Sequence, residues 1–202
     1  MALFVRLYRA AAALAILAAV LTQLSRTASV VNFFSFFTIQ SNLIACAVLA
    51  AGAIGVRGDR FDAFRGAATT YMATTGIVFA LLLSDIAVGL SLPWVNDVLH
   101  KIIPVVMVLD WVLVPVARFL PFTRALWWTA YPIGWLAYTM VRGPIADWYP
   151  YPFVDPRGQG YAHVLKVCAA IAIFVVCLIA FLVWLGNRKN RAGLRSAAGS
   201  SR

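Results

Sequence analysis

Residues 162–185 read AHVLKVCAAIAIFVVCLIAFLVWL, and no acidic or basic side chain stands between Val167 and Leu185. A run of this length matches the roughly 20 apolar residues that an α-helix needs to cross the hydrocarbon of a bilayer. Once in lipid, its backbone N–H and C=O groups find partners only within a helix. Working outward, further apolar runs occupy about 7–24, 30–54, 67–90, 99–117 and 125–141. Single Gly and Pro residues inside them are tolerable, because neighbouring helices absorb such breaks. The expected fold is all-α, a polytopic transmembrane helix bundle of six spans over residues 1–186. A basic, flexible cytoplasmic tail is expected over 187–202.

Composition leads to the same class. Of 202 residues, 63% are hydrophobic and only 12% charged, with a mean hydropathy of +0.86. Soluble domains lie near ~45–50% apolar and ~25% charged. So few charges cannot form a polar shell, and lipid must cover the remainder. The net charge of +10 invites a nucleic-acid reading. Its cations, however, lie in short gaps between apolar runs, whereas backbone-phosphate binding needs them clustered on a water-exposed face. Nucleic acid is therefore excluded as a partner. Cys46, Cys168 and Cys177 lie inside apolar runs without CxxC spacing and read as small buried hydrophobes. The first run follows Arg6 and Arg9 in the manner of a signal peptide, but its length suits an uncleaved first helix.

The basic residues orient the bundle. Arg6, Arg9, Arg57, Arg60, Arg65, Arg118, Arg124 and the cations from Arg188 onward fall on one side, 12 of the 17 in all. Arg26, Lys101, Arg142, Arg157 and Lys166 fall on the other. The positive-inside rule then places both termini in the cytoplasm and 142–163 outside, with the protein in the cell membrane.

Polar groups inside apolar spans are costly, so they mark where chemistry is to be sought. In the second span, Asn32-Phe33-Phe34-Ser35-Phe36-Phe37-Thr38-Ile39-Gln40-Ser41-Asn42, the helical period puts Ser35, Thr38, Asn42 and Cys46 on one stripe. Interhelical hydrogen bonding is the plain reading of such a stripe. The fourth span opens His100-Lys101-Ile102-Ile103-Pro104, and Pro104 cannot donate to the His100 carbonyl, which predicts a kink. His100, Pro104, Met107 and Trp111 share a face, with Asp110 beside it and in need of a partner or a proton. Asp85 lies near the external end of the third span. A hydroxyl, an imidazole and a carboxylate are the parts of an activated-nucleophile site. Eight residues past the start of the second span at Val30, Thr38 would lie ~12 Å along the helix axis. His100 would stand one residue into its own span. The pair can meet only if the second helix begins above the membrane or the Pro104 kink lowers His100. Between the last two spans, residues 142–163 contain four prolines, which argue against a regular helix over most of the segment. Trp148, Tyr149, Tyr151 and Tyr161 suit the headgroup level or a stiff cap over a pocket, and His163 reads as an interfacial polar residue. No zinc or phosphate-loop motif is present, and neither a metal nor an organic cofactor is expected.

The strings FFSFFTIQSN, LHKIIP with LDW, and RGPIADWYPYPFVDP resemble the Pr6Pr family of small bacterial membrane proteins over spans two to six. That family is more distantly similar to the eukaryotic FAR-17a and androgen-induced-gene membrane proteins, some of which hydrolyse fatty-acid esters of hydroxy fatty acids. The resemblance implies a threonine nucleophile at Thr38 and a histidine partner at His100. The combined expectation is an intramembrane hydrolase of a lipid-like ester, in which Asp85 or Asp110 orients His100. Ser35 and Asn42 are the oxyanion candidates, and Trp111, Trp148, Tyr149 and Tyr151 the pocket residues. The expected partners are the bilayer and a lipid-like small molecule. The rival expectations are a lipid or small-molecule transporter or binding protein, and a structural or accessory membrane protein without catalysis.

Overall fold

The computed structural model describes residues 2–84 and 92–199, with side chains as far as Arg188. The described residues form helices and connecting turns, without strands. In chain order these are α1 (Leu3–Leu24), α2 (Val30–Ser35), α3 (Phe37–Ala53) and α4 (Asp59–Val78), which continues through a π-helical turn, Phe79–Leu83. Then α5 (Pro93–Asp97), a second π turn (Val98–Ile102) and α6 (Ile103–Leu113) follow one another without leaving helical backbone angles. Next, α7 (Phe122–Ala125), a tight 3₁₀ turn (Leu126–Thr129) and α8 (Ala130–Ala146) do the same, and α9 (Pro156–Gly199) closes the chain. Among the described residues, three helical stretches, Leu3–Leu24, Asp59–Leu83 and Pro156–Arg188, are long and apolar enough to cross a membrane, and Phe37–Ala53 is a shorter apolar helix. Their outward faces carry exposed Leu14, Leu21, Leu81, Ile173, Phe181 and Trp184. Water would penalise such faces and acyl chains would not.

Several boundaries depart from the apolar runs, each for a local reason. The expected second helix is broken at Phe36, whose φ of −69° and ψ of 128° are extended. No Pro or Gly causes this break; it is held from outside. Trp135 Nε1 of α8 donates to the freed Ser35 carbonyl at 2.9 Å, and the Tyr138 hydroxyl meets Ser35 Oγ at 2.9 Å. Upstream, the Ser29 side chain caps α2 by accepting from Asn32 N–H. The third helix starts at Asp59, well before 67, with Asp59 and Asp62 in its first turn, where acids complement the helix dipole. The fourth stops at Leu113 rather than 117, because Val114 precedes Pro115 and is pushed to extended angles. The expected loop 142–163 is a correction of larger size. Helix α8 runs through Pro144 to Ala146 and ends at Asp147 in the left-handed region, φ 45°. The irregular segment is only 147–155, after which Pro156 opens α9, with a bend at Gly160, φ 75°. Helix α9 extends past 187 to Gly199.

α1 and α3 lie antiparallel in close contact. Arg6 Nε reaches the Ala53 carbonyl at 2.7 Å, and Cys46 Sγ the Ala13 carbonyl at 3.5 Å. Because the connections are short, the start of α3, the end of α4 and the π turn around His100 share one end of the bundle. The ends carrying Arg9, Arg65 and Asp110 share the other. Gly76 brings α4 against the His100 rod: a Cβ there would lie 2.9 Å from Pro104 Cβ and 3.4 Å from the His100 carbonyl oxygen.

Candidate functional site

The break at Phe36 makes Thr38 the second residue of a new helix rather than the middle of an old one. A helix start leaves its first backbone N–H groups unpaired. Thr38 N–H finds the Tyr151 hydroxyl oxygen at 3.1 Å, and Thr38 Oγ1 lies 3.1 Å from the same oxygen. On its other side Thr38 Oγ1 lies 3.2 Å from His100 Nε2. One proton assignment satisfies every contact. Thr38 N–H donates to the tyrosine oxygen, the tyrosine O–H donates to Thr38 Oγ1, and Thr38 O–H donates to His100 Nε2. Thr38, His100 and Tyr151 are 5%, 4% and 5% exposed, so water does not compete for these bonds.

His100 sits in the π turn Val98–Ile102. A wide turn accommodates Pro104 where a kink was expected, because Ile103 N–H reaches back to the Val98 carbonyl. The Leu99 carbonyl is taken by Asn42 Nδ2 at 3.1 Å, which also donates to the Thr38 carbonyl at 2.9 Å. Asn42 thereby ties the threonine helix to the histidine helix. The imidazole stacks on Phe79, ring centroids 4.3 Å apart and 24° between planes, and Phe79 opens the other π turn. A broken helix and two π turns therefore converge on one hydroxyl–imidazole pair. Irregular backbone at such depth persists where protein groups satisfy it, and it recurs at functional sites. His100 Nδ1 faces the Asn96 backbone carbonyl but makes no well-formed hydrogen bond.

Thr38 forms part of the wall of an apolar cavity of about 390 Å³ between α4, α8 and α9, roofed by Tyr151, Phe153 and Val154. Its rim includes Ile133 of α8 and Val176 of α9, which are 64% and 39% exposed on the apolar flank of the bundle. The mouth therefore faces sideways.

Asp110 occupies a different place. Its carboxylate accepts from the Tyr8 hydroxyl at 2.5 Å, Arg9 Nε at 2.6 Å and Arg65 Nη1 at 3.1 Å. Arg65 also pairs with Asp62 at 3.1 Å, and Asp62 Oδ2 accepts the Ala117 N–H at 2.6 Å. The result is a buried cluster of two arginines and two aspartates binding α1, α4 and α6. Ten residues separate Asp110 from His100, ~15 Å of helix, so Asp110 cannot orient the imidazole. Asp85, the other orienting candidate, lies outside the described residues. Ser35 Oγ donates to the Val31 carbonyl at 2.7 Å, and both it and the Asn42 amide are engaged in holding backbone. Trp111 stands with the ion cluster, under the Arg65 guanidinium at 4.8 Å, and donates to the Leu182 carbonyl. Trp148 stacks edge-on against Phe36, and Tyr149 fills the space left by Gly143, so these two hold the loop while Tyr151 reaches the site.

The sequence offered Tyr151 as a pocket residue among the loop aromatics, without its contact to Thr38, and it passed over Thr74, Thr75 and Phe79. Paired threonines in Ala68-Thr69-Thr70 and Ala73-Thr74-Thr75, repeated at five residues within an apolar span, were the available signal. No family model matches the chain, and no curated protein or solved structure matches it either.

Proposed function

We propose that the protein is an intramembrane hydrolase of a lipid-like ester, with Thr38 as nucleophile and His100 as general base. The observation that carries this reading is the 3.2 Å approach of Thr38 Oγ1 to His100 Nε2 at the wall of an apolar cavity. Nucleophile and base work at such separations. In the reaction, Thr38 Oγ1 attacks the ester carbonyl carbon as its proton passes to Nε2. The tetrahedral intermediate collapses, the C–O bond to the alcohol breaks, and the imidazolium returns the proton to the leaving oxygen. Water, deprotonated by the same nitrogen, then cleaves the acyl-threonine to a carboxylic acid and free Thr38. The resemblance to the Pr6Pr and FAR-17a families supports the same pair. The proposed setting is the cell membrane, crossed six times with both termini cytoplasmic. This requires α2–α3, the 93–113 rod and the 122–146 rod to act as crossings beside the three long helices.

A lipid-binding protein without turnover is the second reading, favoured by His100 Nδ1, which makes no well-formed hydrogen bond to an orienting group. Purified protein assayed against long-chain aryl esters separates the two. The hydrolase reading expects turnover that T38A and H100A each reduce by about 10²-fold or more, the scale of acid–base catalysis. Turnover surviving both substitutions, or none in the wild type, would overturn it.

A further inference from the structure

The cavity has a definite shape. Along the 122–146 rod, Leu126, Thr129, Ile133 and Leu136 line it at steps of three and four residues, which is one face of a helix. On α9, running the other way, Cys168, Ala172 and Val176 line it at steps of four. Leu126 and Leu136 are ~15 Å apart along their helix, so the space is long and runs with the helices. Its outer end is closed where Leu136 and Cys168 pack against Leu83, Tyr151 and Val154. Its inner end is closed as well. Ala125 and Trp128 meet Val175, Ile179 and Leu182 there in one core, each of them 5% exposed or less. The side stays open because the two walls hang from different neighbours. Trp135 and Tyr131 of α8 bond to Ser35 and Gln40, whereas α9 receives the Trp111 indole at its Leu182 carbonyl and clasps Leu120 through Asn187.

These dimensions select an occupant. A volume of about 390 Å³ spread over ~15 Å leaves a cross-section of ~25 Å². Non-bonded carbons approach to ~3.5–4.0 Å, so one hydrocarbon chain fits this width and two abreast do not. A zigzag of ~1.52 Å bonds at ~111° advances ~1.25 Å per carbon, and ~15 Å thus holds about twelve carbons. No charged side chain lines the space among the described residues, and apolar cavities stay dry. With the mouth on the apolar flank of the bundle, what enters is hydrocarbon from the bilayer.

We infer that the cavity is a measuring slot for one hydrocarbon chain of about twelve carbons, admitted sideways between α8 and α9. Leu126 and Thr129 determine the length, because the chain end stops on them. A shorter chain leaves a void whose lining loses its contacts. A longer one must fold back or leave its end in the mouth. Thr38 stands at the opposite, roofed end beside Tyr151. For an ester, the carbonyl then lies under the roof and the chain runs inward, a clause that rests on the hydrolase reading; the slot itself does not.

The test uses the full chain in a sterol-based detergent, which brings no alkyl chain of its own. The probes are an equimolar series of methyl ketones with chains of eight to eighteen carbons, sharing one head and resistant to hydrolysis. Native mass spectrometry counts the bound ketone and reads its length. One ketone per protein is expected, with occupancy greatest near twelve carbons and ~3–10-fold lower four carbons to either side. Leu126→Ala deepens the slot and should move the optimum about two or three carbons longer. Thr129→Phe raises the floor and should move it shorter. Opposite shifts at one floor separate a ruler from damage to the fold. Leu109→Ala, on the exposed flank of α6, should leave the optimum in place. Two ketones per protein at saturation, occupancy that climbs steadily to eighteen carbons, or an optimum unmoved in both floor variants would overturn the inference. Where aryl esters are cleaved, kcat/KM should peak at the same chain length, and a peak elsewhere would also overturn it. Ketone selection without any turnover would leave the slot standing and remove the hydrolase reading alone.

Discussion

At the scale of single residues, the largest effects belong to Asp110 and Tyr151. Asp110 balances Arg9 and Arg65 inside the bundle. Removing one partner of a buried ion cluster typically costs ~3–5 kcal/mol. Asp110→Asn should accordingly lower unfolding stability by about that much in a denaturant titration, and a loss below ~1 kcal/mol would mean the cluster is dispensable. Tyr151→Phe removes the oxygen that accepts Thr38 N–H and the proton that reaches Thr38 Oγ1. The unpaired N–H should cost ~1–3 kcal/mol in the same measurement. In the ester assay kcat should fall more than KM rises, because the loss is in holding the attacking oxygen. An unchanged kcat would show the tyrosine to be structural only. Thr38 and His100 were legible in the sequence because polar groups are rare and costly in apolar runs. The partners of Asp110 were not, since Arg9 and Arg65 read equally well as flanking cations. Tyr151 was visible as an aromatic but not as a donor, because its role depends on a contact 113 residues distant in sequence.

At the scale of elements, the site depends on deformations of otherwise regular helices. Gly76 sets the approach of α4 to the His100 rod. Gly76→Val should push them apart at a cost of ~1–3 kcal/mol in stability, together with reduced ester turnover, and full activity would refute the dependence. The loop 147–155 is closed by Arg157, which holds Asp155 at 2.6 Å and Asp147 at 2.7 Å. The hydrogen bonds from Arg157 hold the Asp155 carboxyl below its ordinary range. Its contribution is thus present above the unfolded value of ~3.9 and fades as pH falls through the lower folded value. Hydrogen exchange of the 147–155 amides, corrected for intrinsic rate, should rise on acidification in the wild type, and in Asp155→Asn it should already be raised at neutral pH and lack that acid-dependent rise. Equal profiles would contradict the clasp. Helix existence was readable from hydropathy alone. The break at Phe36 was not, because Trp135 and Tyr138 of another helix impose it. Pro144 misled in the opposite direction, since α8 simply carries it near its end.

For the whole molecule, composition already dictated an apolar helical bundle, and the exposed apolar flanks of the long helices agree with it. Orientation rests on charge. With Arg9 and Arg65 neutralised inside the bundle, the partition of basic residues becomes ten against five. Reporter fusions at Arg57 and Val154 should accordingly fall on opposite sides, cytoplasmic and external, and activity on the same side for both would reverse the topology. In the proposed reading, the Thr38–His100 pair and the sideways cavity act as one unit on a chain drawn from the surrounding apolar phase. Its central claim is that Thr38 forms a covalent bond with the substrate's acyl group. Mass spectrometry of the protein quenched during turnover of a long-chain aryl ester tests this most directly. The account predicts an acyl adduct on the peptide containing Thr38, absent from T38A and strongly reduced in H100A. Turnover with no adduct on that peptide, or an adduct on another residue that persists in T38A, would contradict it.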